Sequence, residues 1–326
     1  MTKPVFLREF KAEDYEVLVN IQNTNFPDYP NTAEEFRHWD DNFDRTKYLL
    51  KRYVVVVQPG EEIIAYGQFH HEPEMFHPKK FWLDIEVHPR WQRQGIGTLL
   101  YEKILKEAHS LKAVTFRTNI REDMKAVLAF LEKRGFVEKR RSWESRLAVQ
   151  NFKLEEFYPY LESVLKQGIV ITTMTEEKEK TPDWDFRLYE MNNVLMSDVP
   201  MPDLYTHTSF EEYKRSHLKS PTIMPDAYFI AKDGDFYAGR SSLHKSEASP
   251  EDLYQGLTGV RAEYRRRGIA MALKLKVIEY ARSHNYKTIK TWNDSVNSGM
   301  LAINEKLGFV KQPAWIYFEK HLAEVS

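Results

Sequence analysis

Apolar and polar positions alternate in short blocks through the first half of the chain. Two β-branched runs, at 53–57 and 63–69, flank a Pro-Gly pair, which predicts a β-hairpin. An apolar run at 81–87 predicts another strand, and it leads into a glycine-bearing turn. Over 98–110 the apolar residues recur at helical spacing, which predicts a helix. The remaining predicted elements of this half are a strand at 113–117 and a helix at 123–133.

The same order of elements returns in the second half. Residues 87–97 resemble residues 260–270 at an offset of 173, and the offset continues without a gap to the Gly-Phe-Val triplets at 135–137 and 308–310. Self-similarity at a fixed offset is the signature of repeated domains, so two copies of one domain are predicted. The elements predicted in the second copy are strands at 253–260, 288–292 and 315–319 and helices at 271–283 and 298–306.

The order of elements also predicts the fold class and the domain limits. Each copy is expected to form a mixed, mostly antiparallel sheet flanked by helices, in the α/β or α+β class. Apolar residues at helical spacing predict a linker helix over 151–167, with Gly168 as its C-cap. The two domains are then residues 1–150 and 168–326. The charged stretch at 176–180 is expected to be a solvated loop.

Composition narrows the class of protein. The 47 basic and 48 acidic residues give a formal net charge of −1, so no global field favours nucleic acid or an anionic membrane. The absence of cysteine excludes disulfides, thiolate zinc sites and an acyl-cysteine intermediate. The chain has neither a signal-like apolar segment nor an apolar run of membrane-spanning length, so we expect a cytoplasmic protein. His70, His71 and His77 lack metal-ligand spacing, so we expect a solvated loop and no metal.

A turn that joins a strand to a helix carries the candidate chemistry in each copy. The turns, 92–97 and 265–270, combine glycine with basic residues. Backbone N–H groups at a helix start are unsatisfied and partly positive, which suits a pyrophosphate, and arginine adds charge-assisted bonds. A Rossmann nucleotide site would need a third glycine where Leu100 stands. A plain structural turn would not explain basic residues at the same place in both copies.

The pattern Q/R-x-x-G-x-G/A between a strand and a helix, followed by a Gly-Phe pair, resembles the acetyl-CoA signature of the GNAT (Gcn5-related N-acetyltransferase) superfamily. The interval from Gly97 to Gly135 and from Ala270 to Gly308 is 38 residues in both copies. The tandem arrangement is similar to that of mycothiol synthase-like proteins. The resemblance implies acetyl-CoA as the acyl donor.

The resemblance also implies which residues hold this donor. The pyrophosphate would meet the two turns, and the pantetheine arm would meet the strand backbone near 85–87 and 258–260. The family often has an Asn before the Gly-Phe pair, which corresponds to Asn297 in the second copy and to Met124 in the first. The implied cofactor-binding residues are Val87, Gln92, Arg93, Gln94, Gly95, Ile96, Gly97 and Thr98 in the first copy and Thr258, Val260, Arg265, Arg266, Arg267, Gly268, Ile269, Ala270, Met271, Asn293, Asn297 and Asn304 in the second.

The residues for proton transfer are harder to assign. Many family members carry a Tyr as general acid, at the positions of Leu131 and Asn304 here. The candidate catalytic bases are Asp84 and Glu86, which alternate on one face of the predicted strand. The second copy has Leu257 and Gly259 at those positions, so its base would come from Asp252, Asp198 or Glu190. On the cofactor residues alone, the second copy is favoured as the catalytic one.

Three functions remain open from the sequence. The first is an N-acetyltransferase that moves an acetyl group directly from acetyl-CoA to a primary amine of a small molecule or peptide. The second is a catalytically inactive acyl-CoA-binding or sensing module, and the third is a structural pseudo-dimer unrelated to coenzyme A. For any of them we expect neither nucleic acid nor membrane as a partner, and either a monomer with an internal pseudo-dimer or a homodimer.

Overall fold

A computed structural model describes residues 4–323 of the chain. The chain divides into two compact units. The first unit comprises Met1–Arg140 together with Ile316–Ser326, and the second comprises Arg141–Trp315. No helix within residues 4–323 combines the length and the apolar character that crossing a bilayer requires.

Strands form the centre of each unit and helices cover them. The strands are β1 (Val5–Glu9), β2 (Leu50–Val57), β3 (Glu62–His70), β4 (Lys80–Val87), β5 (Thr115–Arg121), β6 (Val137–Ala148), β7 (Ile169–Thr173), β8 (Ile223–Asp233), β9 (Phe236–Lys245), β10 (Asp252–Gln255), β11 (Gly259–Val260), β12 (Thr288–Asp294), β13 (Val310–Lys311) and β14 (Trp315–His321). The helices are α1 (Tyr15–Asn25), α2 (Ala33–Asn42), α3 (Ile96–Ser110), α4 (Lys125–Glu132), α5 (Tyr158–Leu165), α6 (Met174–Lys180), α7 (Trp184–Ser197), α8 (Phe210–Tyr213), which continues as a π-helix (Lys214–Leu218), α9 (Ile269–Ser283) and α10 (Ser298–Lys306).

Both units have the same kind of sheet. In the first unit the strand order is β1-β2-β3-β4-β5-β14, and in the second it is β7-β8-β9-β10-β12-β6. Neighbouring strands from β1 to β4 and from β7 to β10 run antiparallel. The pairs β4–β5 and β10–β12 run parallel. The prediction of mixed, mostly antiparallel sheets flanked by helices is confirmed.

Each sheet takes its last strand from the other repeat. In the first unit, β14 comes from the end of the second repeat and lies beside β5, where the Arg117 side chain donates to Glu319 (3.2 Å). In the second unit, β6 comes from the end of the first repeat and pairs antiparallel with β12. The compact units are therefore not the same divisions of the chain as the sequence repeats.

Helices pack on both faces of each sheet. On one face of the first sheet, Leu100 and Ile104 of α3 are fully buried and pack so close to Gly67 that a Cβ there would lie 3.0 Å from Ile104. On the other face, α1 packs against β2 and β3 through Leu18 and Ile21. The second unit repeats this plan. One apolar cluster surrounds α9, and a separate cluster joins α7 to β8 and β9.

Two predicted loops are wrong. Residues 176–180 belong to α6, which begins after the capping residue Thr173, and Glu177 of this helix is buried. His70 ends β3 and His71 is buried, with its ring stacked on that of Phe81 at 4.4 Å between centroids. Hydrogen bonds and packing partners from distant parts of the chain account for both differences.

Other predicted elements occur with altered limits. The strand expected at 253–260 is interrupted, because β10 ends at Gln255 and β11 holds only two residues. Within 151–167 a short 3₁₀ turn (Leu154–Phe157) precedes α5, and Gly168 follows with a φ of +81°. A positive φ favours glycine, which explains this residue at the end of the helix.

Candidate active site

The two glycine-bearing turns have the same backbone conformation. Gly95 and Gly268 precede α3 and α9 with φ values of +85° and +84°, and Arg93 and Arg266 have φ values of +62° and +61°. The helices begin at the next residue after each glycine. Their first N–H groups therefore have no acceptor within the helix and lie at its partly positive end. Both turns have the backbone form of an anion-binding site.

The turn of the first unit is open. A Cβ on Gly95 would meet nothing within 4 Å. The first turn of α3 also has a nearby cation, because Arg134 donates to the Thr98 hydroxyl (2.7 Å) while its guanidinium lies 3.4 Å from the centre of the Phe130 ring. Arg134 was not predicted from the sequence. It precedes the Gly-Phe pair directly, and the second repeat has Leu307 at the same offset.

The turn of the second unit is covered by the segment that contains α5. The buried Val164 lies 3.3 Å from the place where a Cβ on Gly268 would stand. Gln167 donates to the Arg267 carbonyl (3.1 Å) and accepts from the Arg267 guanidinium (3.0 Å). This turn is therefore partly occupied by its own chain.

The fourth strand of each sheet separates from its parallel neighbour. Strand β4 pairs with β5 only from Lys80 to Trp82, and β10 pairs with β12 only from Asp252 to Tyr254. Backbone groups past these points are not used by that pairing. The separation is the place expected for a pantetheine arm.

Side chains of the turns are tied to these strand ends. Gln92 donates to the Val87 carbonyl (3.0 Å), and Arg265 donates to the Val260 carbonyl (3.0 Å). Gln94 donates within the turn, to the Arg90 carbonyl (3.1 Å). These side chains thus hold the turn itself, and their predicted contacts with phosphate stay predictions, as do those of Arg93, Ile96 and Gly97.

Asp84 is a paired carboxylate. It accepts from the Gln68 amide (2.9 Å), and His70 lies 3.3 Å away. Burial alone would raise the pKa of Asp84, but the hydrogen bond and charge of His70, with the bond from Gln68, hold it below its usual range. The same contact raises the pKa of His70 despite its burial. An ion-paired carboxylate of low pKa is a poor proton acceptor.

The pKa of Glu86 is shifted in the opposite direction, upward. Burial, with the nearby charge of Asp84, raises the pKa of Glu86 to about 8. The Asn25 amide donates to its carboxylate (2.5 Å) and opposes this rise. Gln92 in turn donates to the Asn25 side-chain oxygen (3.3 Å), which orients the amide of Asn25 with its N–H toward Glu86. The two candidate bases therefore have pKa values shifted in opposite directions.

The second unit has no matching base. At the position of Glu86 the second unit has Gly259, and a Cβ there would lie 3.1 Å from the Leu195 side chain, so Leu195 would have to move to admit a larger residue. Of the three alternatives, Asp252 is paired with Lys290 (2.8 Å). Asp198 forms a close ion pair with Arg265, and Glu190 is exposed on α7. None of the three has the surroundings that raise the pKa of Glu86.

The remaining predicted cofactor residues of the second unit have internal partners. Asn297 caps α10 by accepting from the Met300 N–H (3.2 Å). The buried Asn304 amide donates to the Asn293 side chain (2.6 Å). The Thr258 hydroxyl lies 2.7 Å from that of Ser241. Their predicted contacts with acetyl-CoA are untested by this geometry, as are those of Ala270, Ile269 and Met271.

Asn25 could have been found from the repeat. At the offset of 173, Asn25 corresponds to Asp198 and Gln92 corresponds to Arg265. The polar contact between Asn25 and Gln92 in the first unit thus recurs as an ion pair in the second. Extending the offset toward the N-terminus would have marked this pair, although not its contact with Glu86.

The family model of the acetyltransferase (GNAT) family matches residues 15–136 and 188–309. The chain therefore belongs to the GNAT family of acetyltransferases, and the predicted tandem arrangement of two GNAT domains is confirmed. A comparison with curated proteins found no match.

Solved structures of the same family have similar folds along the whole chain. A GCN5-related N-acetyltransferase from Sphaerobacter thermophilus is 18% identical with a TM-score of 0.69, over 98% of this chain and 97% of that one. A tandem GNAT protein from the clavulanic acid biosynthesis pathway is 17% identical with a TM-score of 0.74, over 99% and 100%. A glucosamine N-acetyltransferase region of a fungal multi-domain enzyme is 14% identical with a TM-score of 0.73, over 98% and 38%. At these identities the likeness concerns the fold.

Proposed function

We propose that the first unit is an acetyl-CoA-dependent N-acetyltransferase that transfers the acetyl group directly to a primary amine of a small molecule or peptide. The observation that supports it best is Glu86, a carboxyl group with a pKa of about 8 on β4. A general base works best when its pKa lies near the working pH. Glu86 therefore has the proton affinity that deprotonation of an ammonium group requires.

Different residues of the first unit would bind acetyl-CoA and accept the proton in such a transfer. The N–H groups at the start of α3, with Arg134 nearby, would hold the pyrophosphate, and the edge of β4 beyond Trp82 would bind the pantetheine arm. Acetyl-CoA supplies a thioester when bound. Glu86 takes a proton from the substrate ammonium, directly or through one water, and the freed nitrogen forms the new C–N bond as the C–S bond breaks. A thiolate is a weakly basic leaving group, so Leu131 in place of the family's Tyr is tolerable.

Two features favour the first unit as the catalytic one. The cofactor residues alone favour the second unit. The turn at Gly95 is open, whereas Val164 and Gln167 lie against the turn at Gly268. The second unit also has Gly259 where the first has Glu86, and Leu195 fills the space. We therefore propose that the second unit does not carry out the transfer.

The charge around Glu86 fits an amine acceptor. Asp84 lies two residues away on the same strand, and its lowered pKa keeps it ionised at neutral pH. This carboxylate, whose charge His70 partly offsets, would favour a substrate ammonium over an anionic acceptor.

The release of free thiol from acetyl-CoA with a panel of primary amines tests the proposal. Glu86→Gln should lower kcat/KM by about 10²- to 10⁴-fold, the usual contribution of a general base. Because the basic form of Glu86 predominates only above its pKa, wild-type kcat/KM should rise with pH through about 8. Glu190→Gln, an exposed change of the same kind in the second unit, should leave the rate unchanged.

Two outcomes would contradict the proposal. If Glu86→Gln retains the wild-type rate and pH profile, Glu86 is not the base. If instead Glu190→Gln loses activity while Glu86→Gln does not, the transfer takes place in the second unit. Circular dichroism of both variants would establish that each is folded.

A further inference from the structure

The second unit contains a pocket on the α7 side of its sheet. Its volume is about 350 Å³, and its walls come from α7, β8, β9 and the π-helix after α8. Asn192, Tyr228 and Arg240 line it together with His244 and Leu257. A volume of this size suits a small molecule of few heavy atoms.

Arg240 is a buried cation without a charged partner. Its side chain is 6% exposed, and among residues 4–323 no carboxylate lies within ion-pair distance of it. One guanidinium nitrogen donates to the Asn192 side-chain oxygen (2.6 Å), while the Nε is buried with no hydrogen-bond partner. The guanidinium also lies 5.1 Å from the centre of the Tyr228 ring.

Two neutral donors beside Arg240 are equally unused. The Asn192 amide nitrogen and the Tyr228 hydroxyl are both buried without a hydrogen-bond partner. Tyr213 and Arg240 lie near the Tyr228 hydroxyl on the donor side, and the proton of this hydroxyl has no acceptor among residues 4–323. Buried polar groups in folded proteins are nearly always hydrogen-bonded, and an uncompensated buried charge is more costly still. Three unused donors around one cavity therefore indicate a missing acceptor.

The first unit shows that the fold does not require this arrangement. Arg240 lies across the ladder from Gly259, and in the first unit the matching pair is Tyr66 opposite Glu86. This cross-strand pair thus carries an acid on β4 in the first unit and a cation on β9 in the second. The polarity of the pocket is a property of the second unit and is opposite to that of the proposed active site.

The charge of the pocket defines the ligand. Burial and the charge of Arg240 lower the pKa of His244 to about 4, so this imidazole is neutral at physiological pH. A single guanidinium with neutral amide and hydroxyl donors matches a monovalent carboxylate, which it can bind through two parallel hydrogen bonds. A phosphate dianion would retain an unbalanced charge in the same place.

We propose that the second unit binds a small carboxylate-bearing molecule in this pocket, with the carboxylate on Arg240, Asn192 and Tyr228. This inference goes beyond the proposed function, because it concerns the unit that we do not expect to transfer the acetyl group. It assigns the second unit a binding role of its own.

Thermal unfolding of the full chain without acetyl-CoA tests the inference. Acetate, L-alanine, N-acetyl-L-alanine and L-glutamate are the probes, L-alaninamide is the control that lacks the carboxylate of L-alanine, and inorganic phosphate is a separate arm. At least one carboxylate should raise the Tm, and L-alaninamide should not. Arg240→Gln should weaken that binding about tenfold or more. Glu86→Gln should respond as the wild type does, which separates this test from that of the proposed function.

Asn192→Asp is the second variant, in case Arg240→Gln fails to fold. A carboxylate on residue 192 would pair with Arg240 inside the protein, so this variant should have a raised Tm and no response to the carboxylates. The inference is overturned if no carboxylate raises the wild-type Tm. It is also overturned if L-alaninamide or phosphate raises the Tm as much, or if Asn192→Asp responds as the wild type does.

Discussion

The side chain of Asn25 moderates the basicity of Glu86. Its amide oxygen accepts from Gln92, and its amide nitrogen donates to the Glu86 carboxylate. A hydrogen bond to the ionised form lowers a pKa, so Asn25 opposes the effect of burial at this position. Asn25 is thus a positioning residue for the proposed base.

Replacement of Asn25 should move the pH dependence of the reaction. In Asn25→Leu the carboxylate of Glu86 loses its donor, so the rise of kcat/KM should shift to higher pH, by about one unit. The rate on the alkaline plateau should approach that of the wild type. Asn20→Leu, an exposed change on the same helix, should leave the profile in place. An unchanged profile in Asn25→Leu would show that Asn25 does not act on the base.

The sequence could suggest Asp84 and Glu86 together but could not separate them. Alternation along a strand places both on one face. His70 helps to lower the pKa of Asp84, whereas burial raises that of Glu86 against the hydrogen bond from Asn25, which lies 61 residues away in the chain. Such partners meet only in the folded sheet, so a local pattern cannot identify them.

Helix α6 shows that a local sequence pattern can also fail to predict a whole element. Its sequence is strongly charged, which is typical of a solvated loop, yet Glu177 faces inward. Glu177 accepts from Lys232 (3.0 Å), Tyr237 (2.6 Å) and Thr181 (2.9 Å). The first two belong to β8 and β9, so nothing in the local composition distinguishes the buried Glu177 from the exposed Glu179.

Loss of the Glu177 carboxylate should destabilise the second unit. Glu177→Ala leaves the Lys232 ammonium without its acceptor, which should cost about 3–5 kcal/mol of unfolding free energy at pH 7. Urea unfolding would measure it, with the exposed Glu179→Ala as the control.

The same comparison in acid tests the role of charge. Burial alone would raise the pKa of Glu177, but its hydrogen bonds from Tyr237 and Lys232 lower it on balance. A carboxyl group with a lowered pKa stabilises the fold above its unfolded pKa, and this contribution is lost as pH falls through the folded value. The difference between wild type and Glu177→Ala should therefore shrink in acid. A difference that is small at pH 7, or that grows in acid, would contradict the buried ion pair.

At the scale of the whole molecule, the sequence predicts two copies of a domain but not how their last strands are distributed. The family matches end at residues 136 and 309, before β6 and β14 begin. Each copy ends with a strand suited to the same position, beside β5 in the first unit and beside β12 in the second. The sequence pattern of β6 and β14 does not indicate which of the two similar sheets each strand will join. The exchange of these strands between the repeats is therefore seen only in the structure.

Removal of β14 should damage the first unit rather than the second. A chain ending at residue 314 lacks the strand beside β5, and it lacks Glu319, which binds the buried Arg117. Acetyl-CoA binding, measured by calorimetry, and the protection of the β5 amides from hydrogen exchange should both be lost, while exchange of the α9 amides remains slow. A chain ending at residue 323 should behave as the full chain does. Retained binding by the shorter chain would contradict the exchange of strands.

The strand exchange also sets an order of events during synthesis on the ribosome. Synthesis runs from the N-terminus, so every strand of the second sheet is made before Ile316–His321, while the first sheet still lacks this segment beside β5. A chain from which β14 has not yet emerged would therefore expose the side of β5 that this strand covers in the finished protein.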